Sequence, residues 1–141
     1  MTAAQHMAAA PAESKGAIVW TGRILSGLVV LFLLFDGAIK LVPLQVVIDT
    51  VIPLGWPTDA TTWRALGVVL IASALLYAYP RTSVLGAVLI TAYLGGAVAT
   101  HMRVGSPLFS HTLFGVYLGI ILWGGLWLRD PRVRALLPMA R

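Results

Sequence analysis

The chain contains no cysteine among its 141 residues. A polypeptide without thiols forms no disulfide, no thiol redox relay, no thiolate metal site and no cysteine-ligated iron–sulfur cluster. The absence therefore excludes every mechanism in which a thiol of this chain exchanges electrons or holds a metal. Any chemistry must rely on imidazole, carboxylate, phenol, hydroxyl, guanidinium or amino groups.

Charge is also scarce. Charged residues make up only 11% of the chain, whereas roughly a quarter is usual in soluble domains. Hydrophobic residues make up 59%, and a soluble domain of this size could not bury that much apolar surface. The sequence therefore predicts an integral membrane protein whose first partner is the lipid bilayer. The net charge of +5 does not indicate nucleic acid, because the basic residues are scattered at the ends of apolar stretches.

Four apolar stretches approach the roughly 20 residues that a helix needs to cross the hydrocarbon layer. Backbone exposed to lipid must satisfy its own hydrogen bonds, so each stretch is predicted to be a helix. The predicted fold class is all-α, an integral membrane four-helix bundle that forms one domain over residues 17–130. The predicted spans cover residues 17–41, 63–79, 82–102 and 109–128.

The segments outside the spans are short. Residues 42–62 are predicted to form a short interfacial helix and a stiff turn, because the string PLGWP breaks any longer helix. Residues 1–16 are small and polar and are predicted to form a disordered cytoplasmic tail. Residues 131–141 are predicted to form a basic cytoplasmic tail.

The distribution of lysine and arginine predicts the orientation, because cytoplasmic loops of membrane proteins carry an excess of these residues. With four spans, both termini share a side with the loop after the second span. The residues on that side are Lys15, Arg23, Arg81, Arg129, Arg132, Arg134 and Arg141. The other side holds only Lys40, Arg64 and Arg103. Both termini are therefore predicted to lie in the cytoplasm.

Small residues recur at a spacing of four in the last two spans. Gly115 and Gly119 form a GxxxG pair in the fourth span, and Ala92 and Gly96 form a similar pair in the third. Such pairs permit close contact between helix backbones, within one bundle or between protomers. The alternative is that these glycines only reflect the abundance of glycine in membrane helices.

Polar residues gather near the predicted outer end of the spans. Asp36 and Lys40 are four residues apart, so they share a helix face and can form an ion pair. The other candidate ligand-binding residues are Tyr93, Thr100, His101, Arg103 and His111. Two interpretations remain open: a binding site for a headgroup, or a polar rim that caps the helices. A metal held by the two histidines and Asp36 is not favoured, because the histidine spacing is not diagnostic.

Several strings resemble the DoxX-like family of small bacterial membrane proteins. They are GRILSGLVVLFLLFDGAIKLV in the first span, AYLGGAVATHMR in the third and LWGGLWLRDPR in the fourth. The resemblance implies a four-helix membrane bundle in the bacterial plasma membrane. The family takes its name from a subunit associated with thiosulfate:quinone oxidoreduction, and some relatives are linked to redox-stress complexes. The resemblance supplies no catalytic residues.

Three functions follow, in order of preference. The first is a non-catalytic accessory or anchor subunit of a membrane redox or stress-response assembly, in a homo-oligomer or a larger complex. The second is a quinone- or lipid-binding enzyme or carrier that uses the polar cluster, with quinone as its only candidate cofactor. The third is a small transporter or an oligomeric pore. The sequence identifies no catalytic residue, and it favours a role without catalysis.

Overall fold

The computed structural model describes residues 3–42 and 44–138, and this part of the chain is helical without any β-strand. Four long helices and several short ones follow one another along the chain. They are α1 (Ala3–Leu41), α2 (Gln45–Val51), a 3₁₀ turn (Ile52–Leu54), α3 (Ala60–Ala78), α4 (Ser83–Arg103), a π-helical turn (Leu108–Thr112), α5 (Phe114–Arg129) and α6 (Pro131–Leu136).

The predicted all-α, four-span fold is confirmed. Four segments are long and apolar enough to cross a membrane, and the short helix α2 follows the first of them as predicted. The observed segments differ from the predicted spans by only a few residues at each end. They are Lys15–Leu41, Ala60–Ala78, Ser83–Arg103 and Leu108–Arg129.

The third helix begins three residues earlier than predicted because Asp59 caps it. The Asp59 carboxylate accepts hydrogen bonds from the Thr62 backbone N–H at 2.8 Å and from the Thr62 hydroxyl at 3.0 Å. These bonds satisfy a backbone donor that the first turn of a helix leaves unpaired. The same bonds hold the pKa of Asp59 below its ordinary value.

Both predicted tails contain helix. Helix α1 extends back to Ala3, where residues 1–16 were predicted to be disordered. The residues before Lys15 are rich in alanine, which has the highest helix propensity, so helix can propagate outward from the span. Residues 1 and 2 lie outside the described residues. The predicted tail at residues 131–141 contains helix α6, and its last three residues are likewise not described.

The four long helices form a bundle in which α1 packs on α3 and α5, and α4 packs on the same two helices. Each helix contributes fully buried apolar side chains to one core. The largest of these are Leu33, Leu70, Tyr77, Ile90, Leu122 and Leu126. The core thus lies along the bundle axis, and the remaining apolar side chains face outward, as lipid permits.

At one end of the bundle, glycines bring α1 against α5 and α4 against α3. This end carries the turn at residues 79–82 and helix α6, and it is called the Pro80 end. A Cβ on Gly22 would lie 2.7 Å from the Arg129 backbone nitrogen and 2.8 Å from the Gly125 carbonyl oxygen. A Cβ on Gly86 would fall within the backbone of Tyr77.

At the opposite end, glycines bring different pairs of helices together. This end carries residues 44–59 and 104–107 and is called the connector end. A Cβ on Gly67 of α3 would lie 2.7 Å from the Gly37 carbonyl oxygen of α1. A Cβ on Gly115 of α5 would lie 3.2 Å from the Leu94 carbonyl oxygen of α4. Here α1 and α3 form one close pair and α4 and α5 another, and a space remains between the pairs.

Within this chain, the four small residues of the predicted packing face do not share one helix contact, and packing between protomers stays a prediction. Gly115 is buried in the contact between α4 and α5, whereas a Cβ on Gly119 would only reach Leu94 at 4.0 Å. Nothing lies within 4 Å of a Cβ on Gly96, and Ala92 is exposed. The spacing within one helix does not reveal which glycine faces a neighbour, since that depends on the rotation of each helix.

Candidate functional site

A cavity of about 450 Å³ lies between the two helix pairs at the connector end. It is bordered by all four long helices and by the segment from α2 to Trp56. Apolar side chains form most of its wall. Six of the seven predicted ligand-binding residues line it, namely Asp36, Lys40, Tyr93, Thr100, His101 and His111.

Asp36 and Lys40 form the predicted ion pair on the wall contributed by α1. Lys40 Nζ lies 2.5 Å from Asp36 Oδ1, and the side chains are 13% and 28% exposed, respectively. An unpaired charge within a span carries a large free-energy cost in the membrane. Pairing with an opposite charge near the end of a helix reduces that cost. The pair therefore places both signs of charge at the cavity without a net charge.

The two histidines face each other across the loop between α4 and α5. His101 lies in the last turn of α4, and His111 lies in the π-helical turn, with 5.8 Å between their ring centroids. Each ring is held at Nδ1 by a neighbouring serine, at 2.9 Å from Ser106 Oγ for His101 and 2.7 Å from Ser110 Oγ for His111. These bonds fix the rings and leave Nε2 of each for another partner.

Tyr93 and Thr100 belong to the wall contributed by α4. The Thr100 hydroxyl donates to the Gly96 carbonyl oxygen at 2.9 Å, so its oxygen remains an acceptor. The Tyr93 ring packs against the edge of the core. No hydrogen bond joins its hydroxyl to another of the described residues, so the phenol is free to bind a molecule in the cavity.

Arg103 is the one predicted site residue that the structure places elsewhere. Its Nη2 donates to the Leu54 carbonyl oxygen at 2.6 Å, which ties the end of α4 to the 3₁₀ turn. Gly55 beside it has φ +71°, and a Cβ there would lie 3.2 Å from the same Nη2 atom. Arg103 thus holds the connecting segment over the cavity and does not line it.

Aromatic residues that the sequence did not associate with the site form much of its apolar wall. Phe32 of α1 and Phe114 of α5 touch with ring centroids 5.6 Å apart. Trp56 and Trp63 meet edge to face at 5.8 Å. Both tryptophans resemble the interfacial aromatic residues common in membrane proteins, so only their position in the fold assigns them to the cavity.

Among residues 3–42 and 44–138, no group of three histidine, aspartate or glutamate side chains converges as ligands would. The arrangement instead provides one ion pair, two anchored imidazoles, a phenol and a hydroxyl above an apolar pocket. Such a pocket suits a molecule with a polar headgroup and an apolar body.

Comparison with known proteins agrees with the four-span fold. The model of the DoxX-like family matches residues 24–125, which include all seven predicted ligand-binding residues. No curated protein and no solved structure matches the chain. Since the match covers more than half of a chain with four membrane-spanning helices, this multi-pass membrane protein belongs to the DoxX-like family.

Proposed function

We propose that this protein binds a lipophilic molecule with a hydrogen-bonding headgroup, of which a quinone is the best match, in the cavity at the connector end. One observation carries the proposal: six polar side chains, separated by up to 75 positions between Asp36 and His111, line a single apolar cavity. A polar rim that only capped the helices would not need to converge on one space.

The histidines suit both oxidation states of such a headgroup. A neutral imidazole has one donor and one acceptor nitrogen. When Nδ1 accepts from its serine hydroxyl, Nε2 carries the proton and can donate to a quinone carbonyl. When Nδ1 donates to the serine, Nε2 becomes an acceptor for a quinol hydroxyl. His101 and His111 can each adopt either arrangement without moving, because a serine hydroxyl can donate or accept.

The apolar part of the ligand would lie between the helix pairs. Phe32, Phe114 and Leu118 supply apolar surface below the histidines. Ala92 and Gly96 border the cavity and are themselves exposed on α4. This edge supports entry of the ligand from the bilayer, which is where a molecule with an isoprenoid or acyl chain resides.

Native mass spectrometry of the protein in mild detergent tests the proposal. We expect a small molecule bound at a fixed ratio, and we expect the double variant His101→Ala/His111→Ala to retain it at least about tenfold less, since two hydrogen bonds are removed. Organic extraction of the purified protein would then identify the ligand by its mass and by its absorbance.

The variant Asp49→Asn is a matched control, because Asp49 lies on the same connecting segment but bonds to Gln45 and does not line the cavity. Equal retention by the histidine variant and this control would mean that the polar residues do not hold the ligand. A wild-type protein without any bound small molecule, even after addition of ubiquinone or menaquinone, would also overturn the proposal.

A second candidate function is that of an accessory subunit in a membrane redox or stress-response assembly, with both termini in the cytoplasm of a bacterium. It is supported by glycines that meet no neighbour among the described residues, such as Gly124, where nothing lies within 4 Å of a Cβ. A partner helix could approach closely there. The same mass spectra would then show a second polypeptide bound to the wild-type protein but not to the Gly124→Leu variant.

A further inference from the structure

A second cavity, of about 360 Å³, lies at the Pro80 end, on the side of the molecule opposite the proposed ligand site. It is bordered by the first helix, the turn between α3 and α4, and the junction of α5 with α6. The polar residues that line it are Arg23, Ser83, Arg129, Asp130 and Arg132. Three guanidinium groups therefore surround one space together with a single carboxylate.

Arg129 lines this cavity and is held in place by two contacts with Tyr77. Its guanidinium carbon lies 4.9 Å from the centroid of the Tyr77 ring, and its Nη2 donates to the Tyr77 carbonyl oxygen at 2.9 Å. Its Nε is buried and has no hydrogen-bond partner among the described residues. None of the described carboxylates forms an ion pair with Arg129, so a half-buried positive charge remains without a counter-charge.

The largely buried carboxylate of Asp130 does not supply that counter-charge. Asp130 Oδ2 lies 2.8 Å from Arg132 Nη2, and Asp130 Oδ1 accepts from the Arg132 backbone N–H at 2.9 Å. The hydrogen bonds from the Arg132 side chain lower the pKa of Asp130 and keep it ionised. Asp130 therefore neutralises Arg132, whereas Arg23 and Arg129 leave two positive charges uncompensated in this part of the structure.

The cavity lies beside the ends of two membrane-spanning segments, where lipid phosphates are expected. Helix α5 ends at Arg129, and Arg23 follows the start of the first span by eight residues, so its long side chain can extend to the membrane surface. Arg23 lies 5.3 Å from the ring centroid of Trp20, which is 62% exposed and typical of the headgroup region. Basic pockets between helices at this depth bind anionic headgroups.

We infer that Arg23 and Arg129, with the Asp130-paired Arg132 beside them, form a binding site for a phosphate group, presented by an anionic phospholipid or as free phosphate. The phosphate oxygens would accept from the guanidinium groups of Arg23 and Arg129, and Ser83 contributes a hydroxyl at the same wall. The site is independent of the cavity at the connector end. A bound phosphate would neutralise the positive charges of Arg23 and Arg129, which the protein alone leaves uncompensated.

The test is a titration of the delipidated full-length protein with phosphatidylglycerol, followed by native mass spectrometry. We expect Arg23→Gln to weaken binding about fivefold, because a guanidinium group that lines the cavity and would donate to the phosphate is removed. The control is Arg81→Gln, which removes an exposed arginine of the adjacent turn that does not line the cavity. Arg129→Gln should weaken binding more strongly, and Arg23→Gln carries the test if the Arg129 variant does not fold.

Parallel titrations with phosphatidylcholine and with inorganic phosphate distinguish the sources of the phosphate group. Tight binding of phosphatidylglycerol that inorganic phosphate cannot displace identifies a lipid site, and displacement by inorganic phosphate at low millimolar concentration identifies a free-anion site. Equal binding by Arg23→Gln and Arg81→Gln, or no binding of either phosphate compound by the wild-type protein, would overturn the inference.

Discussion

The two ends of the bundle use the same four helices but join them differently. At the Pro80 end, Gly22 and Gly125 bring α1 against α5, and the buried Tyr77 hydroxyl links three helices. At the connector end, the closest contacts lie within the pairs α1–α3 and α4–α5, and a cavity of about 450 Å³ separates the pairs. The helices are thus closely packed at the Pro80 end, here called the closed end, where the smaller cavity lies among the helix ends. At the connector end, here called the open end, the larger cavity lies between the helices themselves.

The difference shows how a small bundle can be stable and still contain a cavity. In lipid there is little hydrophobic drive between helices, so close backbone contacts and hydrogen bonds hold them together. Tyr77 donates to the Leu122 carbonyl oxygen at 2.7 Å, and Ser26 donates to the Tyr77 oxygen at 2.9 Å. Because these contacts fix the helices at the Pro80 end, the helices can diverge at the connector end.

The largest effect is expected from Gly22→Ala, which would break the closed end. Its Cβ would meet backbone atoms at 2.7 and 2.8 Å, and backbone cannot move aside as a flexible side chain can. We expect a loss of roughly 3 kcal/mol in the free energy of unfolding, at the upper end for overpacked contacts. Thermal unfolding in detergent measures it.

The control for this variant is Gly27→Ala in the same helix, where nothing lies within 4 Å of the new Cβ. This change should leave the protein unaltered or stabilise it by up to about 1 kcal/mol through the better helix propensity of alanine. Equal melting temperatures for the two variants would refute the contact between α1 and α5.

A smaller effect is expected from Tyr77→Phe, which keeps the ring but removes both hydrogen bonds of the hydroxyl. The Leu122 carbonyl oxygen and the Ser26 hydroxyl would lose their buried partner, at a cost of about 1–2 kcal/mol. Tyr79→Phe is the matched control, since Tyr79 is 54% exposed and close in sequence. Chemical unfolding of both variants measures the difference, and a Tyr77 variant as stable as the control would contradict the network.

The smallest effect on stability is expected from Gly96→Leu, which would reduce the open end. Nothing lies within 4 Å of a Cβ at Gly96, so the fold should tolerate leucine, while the side chain would enter the cavity edge and lower ligand retention. Gly95→Leu adds the same group beside it without lining the cavity. Native mass spectrometry compares the ligand retention of the two variants. Equal retention would show that the ligand does not bind in this cavity.

Several features of the site could be predicted from local patterns. The spacing of Asp36 and Lys40 predicts their ion pair, because positions four apart share a helix face. The positions of His101 and His111 at the ends of two apolar spans predict that both lie at the same end of the bundle. The distance between them, and their anchoring by Ser106 and Ser110, depends on the π-helical turn, which no local pattern predicts.

Other features could not be predicted because they depend on the rotation and crossing of the helices. The GxxxG spacing indicates Gly115 and Gly119 equally, yet only Gly115 touches the backbone of a neighbouring helix. Arg103 and His101 are both polar residues at the end of the third span, so the sequence predicts both equally as site residues. Arg103 nevertheless faces the connecting segment. Tyr77 is fully buried whereas Tyr79, two residues later, faces outward.

The sequence by itself determined that the protein lies in a lipid bilayer, that it has four spans and that it has no thiol chemistry. These properties follow from composition and from the length of apolar segments, which each stretch of chain carries locally. Only the tertiary structure decided which glycines touch, which end is closed, and which polar side chains share a cavity. The physical reason is that lipid solvates every apolar helix face almost equally well. Which helices pack together therefore depends on a few close contacts and hydrogen bonds between residues far apart in the sequence.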